Sequence, residues 1–328
     1  MKTSKGVCVR SFLVAAVCAT AFPGAPQAQS YPSKPIEFNV HTAPGGGTDL
    51  FARTVTDIMV KQKTFSQPII VANRPGGGGV IAFNHIKSKR GDPHVVLTMA
   101  TGSFLTATVR KELDLGLANF TPLVSFAIDP QVIAVATESK FKSMKEMIDT
   151  GIRRPNTLIA GITSATGTAR LLLYVIERET GAKYKYVSFK SGSEATTSVA
   201  GGHTDFTPEN LSEMLGLVEG KKLRVLAVTG DKRLPAVPDA PTMKELGYKV
   251  VVGTGRGFVM PAGVPPKAHA AMEAAMKRVY DSNEWKEFAK RNNFEDNYLG
   301  SAAWGKSLAQ QQAEMVKFME HISQPQNP

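Results

Sequence analysis

Apolar and polar positions along the chain follow two alternating periods. Short runs rich in β-branched and aromatic residues predict strands at 36–40, 68–71, 94–99, 131–136, 157–160, 184–189, 204–206, 223–228 and 257–260. Between them the apolar spacing widens to three and four residues, the period of a helix. From Thr48 it puts Leu50, Val55, Ile58 and Met59 on one stripe. After Thr168 it puts Leu171, Leu172, Val175 and Ile176 on another, which stops at Gly181. Positions 143–146 and 242–245 have the Ser/Thr-x-x-Glu spacing of a capping box. Beyond the loop at 261–266 three helices are predicted, broken near Asp281 and again at 294–300. This alternation predicts an α/β architecture with mostly parallel sheets. A length of 328 residues suits two lobes with a cleft between them.

The first thirty positions break the pattern. Lys2, Lys5 and Arg10 precede an apolar run from 12 to about Phe22, followed by the small residues Ala28 and Ser30. This is the layout of a secretory signal peptide cleaved before Tyr31, and the run is shorter than the ~20 residues a membrane span needs. Both cysteines, Cys8 and Cys18, fall inside it, and Val17 stands where a lipid anchor on Cys18 would need a small residue. The remaining chain therefore offers no disulfide, thiol nucleophile or thiolate metal site. Loss of three basic residues takes the formal charge from +11 to +8. The basic residues are scattered rather than clustered with aromatics, so the nucleic-acid footprint is missing and small anions remain as partners.

Two strand–turn–helix loops carry the candidate chemistry. Pro44-Gly45-Gly46-Gly47-Thr48-Asp49 lets the backbone approach a ligand and presents a helix N-terminus to an anion; the plain alternative is a tight turn with Asp49 favourable to the helix dipole. The dinucleotide fingerprint fails, because Leu50 stands where its third glycine belongs. Positions 161–168 hold Thr163, Ser164, Thr166, Gly167 and Thr168, with Arg170 in the first helical turn. A cation there opposes the dipole, so it either meets an anion or points to solvent. One such loop per lobe favours a shared ligand in the cleft.

Other motifs fall away. Positions 300–307 match the P-loop pattern, but Trp304, Leu308 and Met315 continue an amphipathic helix with no following sheet, so the match is a coincidence. The six histidines show no metal spacing, and no nucleophile elbow or Ser-His-Asp set is present. No cofactor or metal is expected. An exported enzyme acting on a small anion is the alternative, with Asp49 and His41 as its candidate acid–base groups.

Five segments in order resemble the Bug family, the TctC-type periplasmic receptors of tripartite tricarboxylate transporters. They are the opening Tyr31-Pro32-Ser33-Lys34-Pro35-Ile36 with 44–49 and Ala52-Arg53; Val71-Ala72-Asn73-Arg74-Pro75-Gly76; Asn119-Phe120-Thr121-Pro122-Leu123; Leu223-Arg224-Val225-Leu226-Ala227-Val228 with Arg233 and 238–242; and Pro261-Ala262-Gly263-Val264-Pro265. The resemblance implies a two-lobed, type II-like periplasmic binding fold. Lobe one would comprise 31–128 and 254–328, and lobe two 129–253, after a leader at 1–30. It implies a monomeric receptor in the periplasm that hands a small organic carboxylate to membrane permease subunits; a role in presenting the closed form to a sensor would use the same site. The family's ligand loops map onto Ala43, Gly46, Gly47 and Asp49, and onto Thr163, Ser164, Thr166, Gly167 and Thr168, with Asn210 near the cleft. Departures from the family pattern are His41-Thr42, Phe189-Lys190-Ser191, Glu209 before Asn210, and Arg170. Arg170 would suit a second carboxylate, and Ser103-Phe104 would supply an aromatic wall. A dicarboxylate, aliphatic or aromatic like terephthalate, is therefore the expected ligand.

Overall fold

A computed structural model describes Met1, Thr3, residues 31–165 and residues 167–323, except the side chains of 317, 318 and 321–323. The expected leader, apart from Met1 and Thr3, and Thr166 lie outside the described residues. From Pro32 the chain runs β1 (Ile36–Val40), α1 (Gly47–Lys61), β2 (Ile69–Asn73), α2 (Val80–Ser88), β3 (Val95–Ala100), α3 (Thr101–Val109) and β4 (Phe120–Ala136). It continues through α4 (Met144–Arg153), β5 (Ile159–Ile162), α5 (Thr168–Thr180), β6 (Lys185–Ser188), α6 (Gly192–Ala200), β7 (Phe206–Asn210), α7 (Leu215–Glu219) and β8 (Leu223–Val228). It ends with β9 (Gly253–Pro261), α8 (Pro266–Asp281), α9 (Asn283–Arg291), β10 (Glu295–Leu299) and α10 (Ser301–Ser323).

The strands form two sheets that share β4, in the order β2-β1-β3-β9-β4-β7-β5-β6, with β8 and β10 also on β4. The first half of β4 pairs with β9, from Phe120 opposite Pro261 to Pro130 opposite Gly253. The second half pairs with β7, from Gln131 opposite Asn210, and with β8. One strand 17 residues long thus spans both lobes.

The sheets are mixed rather than mostly parallel. β1, β2 and β3 pair in parallel, as do β5, β6 and β7, whereas every pairing made by β4 and β9 is antiparallel. The parallel strands are those joined by the predicted helices; β4 and β9 are the segments that carry the chain between lobes. Both read as short strands because Asp129, Gln131 and Arg256 interrupt their apolar runs. β10, which falls in the expected break at 294–300, pairs antiparallel with β4.

The core follows the apolar stripes. α1 buries Phe51, Ala52, Val55, Ile58 and Met59, while Leu50 faces outward at 43% exposure. Ser143 accepts the Glu146 amide at the start of α4, as the capping box requires. Thr242 and Glu245 form both reciprocal bonds but cap only a turn. The 300–307 segment is helical from Ser301, with Trp304 fully buried against Gly257. Among the described residues no helix is long and apolar enough to cross a membrane.

Candidate functional site

The C-terminal ends of β1, β2 and β3 face those of β5 and β6, where open α/β sheets place their ligands. Between them lies a cavity of about 480 Å³, in the range of small-molecule sites. One wall is His41, Thr42, Gly76–Gly79, Ser103 and Arg110; the other is Thr163, Ser164, Ala165 and Ser188–Lys190. The glycine run is required by its backbone. Gly76, Gly77, Gly78 and Gly79 have φ of 126°, 60°, 67° and 101°, the region that side chains resist. Arg110 donates from Nε to Glu112, a solvent-facing pair. Lys190 is exposed and also faces the cavity.

A smaller chamber of about 30 Å³ lies inward, sharing His41, Thr42, Ser103 and Thr163 with the outer cavity. Its lining is charged: Arg256, Glu209 and Glu213, with Gln131, Asn210, Thr48 and Thr254. Arg256, 1% exposed, donates to Asp129 Oδ2 from Nε and Nη2 and to Thr48 Oγ1 from Nη1. Ser212 donates to the same Asp129 oxygen. Burial raises the Asp129 carboxyl and Arg256 opposes it; the ion pair is the form that satisfies all these donors.

The two anion-type loops are each answered by a glutamate of the protein itself. Glu209 accepts both the amide and the hydroxyl of Thr163. Burial and then the neighbouring Glu213 push its carboxyl up to about 8, against the Thr163 bonds. Glu213 accepts the Gly47 amide at the start of α1. Its carboxylate also lies against Gly192, the first residue of α6, where a Cβ would collide with Oε2. Burial raises the Glu213 carboxyl as well, opposed by Arg256 and reinforced by Asp129. Glu213 is partly exposed as a residue, but the carboxylate itself is enclosed by Gly47, Gly192 and Arg256.

The sequence-expected residues therefore divide. Ser103, Thr163 and Ser164 line the outer cavity, and Gly167, Thr168 and Asn210 line the chamber. Asn210 is also spoken for: its amide donates to Asp129 O and its oxygen accepts from Thr254. Gly46 and Ala43 close the tight turn, with the Gly46 amide on Ala43 O. Asp49 sits behind that turn, bound by the Gly45 amide, Arg53 and Asn73. Burial alone would raise its carboxyl; those bonds outweigh it and hold it below the usual range.

Two expectations are corrected. Phe104 forms no wall of the cavity: it is fully buried, edge-on to Phe83 and Phe120 in the core beneath α3. Arg170 lines neither space; it lies over the Tyr186 ring, with Nη1 3.9 Å from Glu177 on its own helix. Glu177 is thus an anion at ion-pair distance, although Arg170 Nη1 is buried without a hydrogen-bond partner among the described residues.

Asp129, Gln131, Glu213 and Arg256 were missed by motif reading. For Asp129, Gln131 and Arg256 the signal was available, since each is a charged or amide residue in a long strand; Glu213, in the turn after β7, had none. His41 directly follows β1 and its Nε2 accepts the Ala100 amide. Burial, then Arg256, lowers it to about 4, so it is neutral.

These features define a two-lobed α/β protein of the periplasmic-binding-protein fold. Residues 51–323 match the tripartite tricarboxylate transporter family receptor, TctC. The chain belongs to that family and is a solute-binding receptor of its kind. It is 30% identical to Bordetella pertussis protein BugT over 76% of this chain and 77% of that protein. Among solved structures, MatC from Rhodopseudomonas palustris with bound malate superposes with a TM-score of 0.80 at 22% identity, covering 89% of this chain and 99% of that one. An R. palustris protein with adipate gives 0.80 at 22% identity, covering 89% and 97%.

Proposed function

We propose that this protein is an exported, monomeric periplasmic receptor that captures a small organic carboxylate between its lobes and delivers it to the permease of a tripartite tricarboxylate transporter. The observation that carries this reading is the cavity of about 480 Å³ between the strand ends, with Arg110 on one wall and Lys190 and the Thr163–Ser164 loop on the other. Two cations and several hydroxyls suit an anion that must be held and released, because partly solvated hydrogen bonds exchange readily with water. The malate and adipate held by the two R. palustris proteins support the same class of ligand here.

Lobe closure supplies the signal to the permease. β4 and β9 are the strands that join the lobes, so bending there would open the cleft without breaking either sheet. Ligand in the cleft then favours the closed form by its contacts to both walls. Thermal unfolding with a panel of mono-, di- and tricarboxylates tests the reading. A true ligand at 100 times its Kd adds about 2.7 kcal/mol and shifts the midpoint by several degrees. A panel in which no carboxylate shifts it contradicts the proposal.

A further inference from the structure

The inner chamber has an excess of acid that the receptor reading does not use. Arg256 lines the chamber but is already bonded to Asp129, so its single charge is set against three carboxyl groups, those of Asp129, Glu209 and Glu213. Gln131 points both ends of a 1%-exposed amide into the same region. Neither its Nε2 nor its Oε1 has a hydrogen-bond partner among the described residues, nor does Thr42 Oγ1. Buried amide atoms left unpaired are costly, so they mark a place where a ligand group or ordered water belongs. The chamber, about 30 Å³, has room for a small polar group. The outer cavity carries the opposite sign: Lys190 and Arg110 line it, and Glu112, which pairs with Arg110, lies outside its lining. The site is thus basic outside and acidic inside.

Building on the carboxylate-receptor reading, we propose that the ligand is a carboxylate whose other end is an N–H donor, an ammonium or a carboxamide, and not a second carboxylate. The donor end enters the chamber, where Glu209 and Gln131 Oε1 accept from it, while the carboxylate stays in the outer cavity with Arg110 and Lys190. A second carboxylate in the chamber would meet two glutamates in a confined, poorly solvated space, a strongly unfavourable approach.

The charged groups that face this pair are Asp129 on β4, Arg256 on β9 and the neutral His41 at the end of β1. Asp49 of α1 and Glu194 of α6 turn away, to Arg53 and to the Lys190 amide. Both glutamates are held above their ordinary range, so near neutral pH the pair retains a proton. An entering ammonium displaces that proton, and its affinity rises with pH. A carboxylate in the same place would need the proton, and its affinity would fall.

Titration calorimetry with three matched series tests the assignment: diacids, ω-amino acids and ω-carboxamides of the same lengths, with benzene 1,4-analogues included. The expected result is that an amino or amide member binds at least tenfold more tightly than its matched diacid. The ammonium ligand is expected to gain at least threefold between pH 6 and pH 8. In Glu209→Gln with Glu213→Gln, the preference for ammonium over the diacid falls at least tenfold; the pH series on the parent protein decides the matter should that variant not fold. A diacid that binds as tightly as both partners, or an ammonium affinity that falls with pH, overturns this proposal and leaves the carboxylate-receptor reading standing. Binding by no member of any series overturns both.

Discussion

Glu213 sets its carboxylate against the amide of Gly47, 166 residues earlier in the chain. The N-terminus of α1, which attracts an anion by its dipole and free N–H groups, is therefore met by this protein's own side chain. The contact ties the segment after β7 to the turn that opens α1, and the same carboxylate lies against Gly192 at the start of α6.

Glycine at 47 and 192 is what lets that carboxylate in. A Cβ at Gly47 would fall 2.6 Å from both Glu213 Oε1 and Arg256 Nη2, and one at Gly192 would collide with Glu213 Oε2. Gly192→Ala and Gly47→Ala are each expected to cost about 1–3 kcal/mol, as overpacking does. Gly116, with open space around its Cβ position, is the control. Urea unfolding measures the difference, and equal midpoints for Gly192→Ala and Gly116→Ala would contradict the packing assigned to Glu213.

Arg256 and Asp129 behave as a buried pair. Removing one partner leaves the other charged and without its match, at a cost of about 3–5 kcal/mol. Arg256→Met and Asp129→Leu should each show that loss in chemical denaturation. The double variant should recover at least half of it, because two apolar side chains strand neither member of the pair. Additive losses would mean that the two residues act independently.

The α/β alternation, the helices after β1 and β5, and the two turns beside the cleft were legible in the sequence because apolar period and capping chemistry are local. What fills the cleft floor was not. Glu209 lies on one strand with Glu213 just after it, Asp129 and Gln131 lie on another and Arg256 on a third, and the pairings of β4 with β7 and β9 bring them together. Arg170 misled for the same reason: its helix position asked for an anion, and Glu177, two turns further along α5, supplies one. Phe104 follows Ser103 on α3, so one side chain lines the cavity while its neighbour turns into the core.

Glu209 gives stability a pH dependence of known sign. An unfolded glutamate titrates near 4.5 and the folded one near 8. Between these values the native state keeps a proton that the unfolded chain has released. The contribution is complete below the lower value and is lost as pH rises through the upper one. Glu209→Gln cannot ionise and still offers an oxygen to Thr163, so its urea midpoint should fall less steeply from about pH 5 to about pH 8. An unchanged slope would place the titration elsewhere.

Phe104 and Arg170 separate core from site. Phe104→Ala removes a fully buried ring and should cost about 3–5 kcal/mol in unfolding, while the folded fraction keeps its ligand affinity within about twofold. Among the described residues Arg170→Ala loses contacts to Tyr186 and Glu177, and it should also leave affinity within about twofold. A tenfold loss of affinity in either variant, measured by calorimetry, would return that residue to the ligand.

Capture of a carboxylate between Arg110 and Lys190 is the central claim, and calorimetric titration of the purified protein and of Lys190→Ala with Arg110→Ala tests it most directly. The account predicts one site per chain for at least one small carboxylate, weakened by about tenfold or more when both cations are removed, the loss expected of charge-assisted hydrogen bonds. A carboxylate bound equally well by parent and double variant, or no carboxylate bound at all, would contradict it.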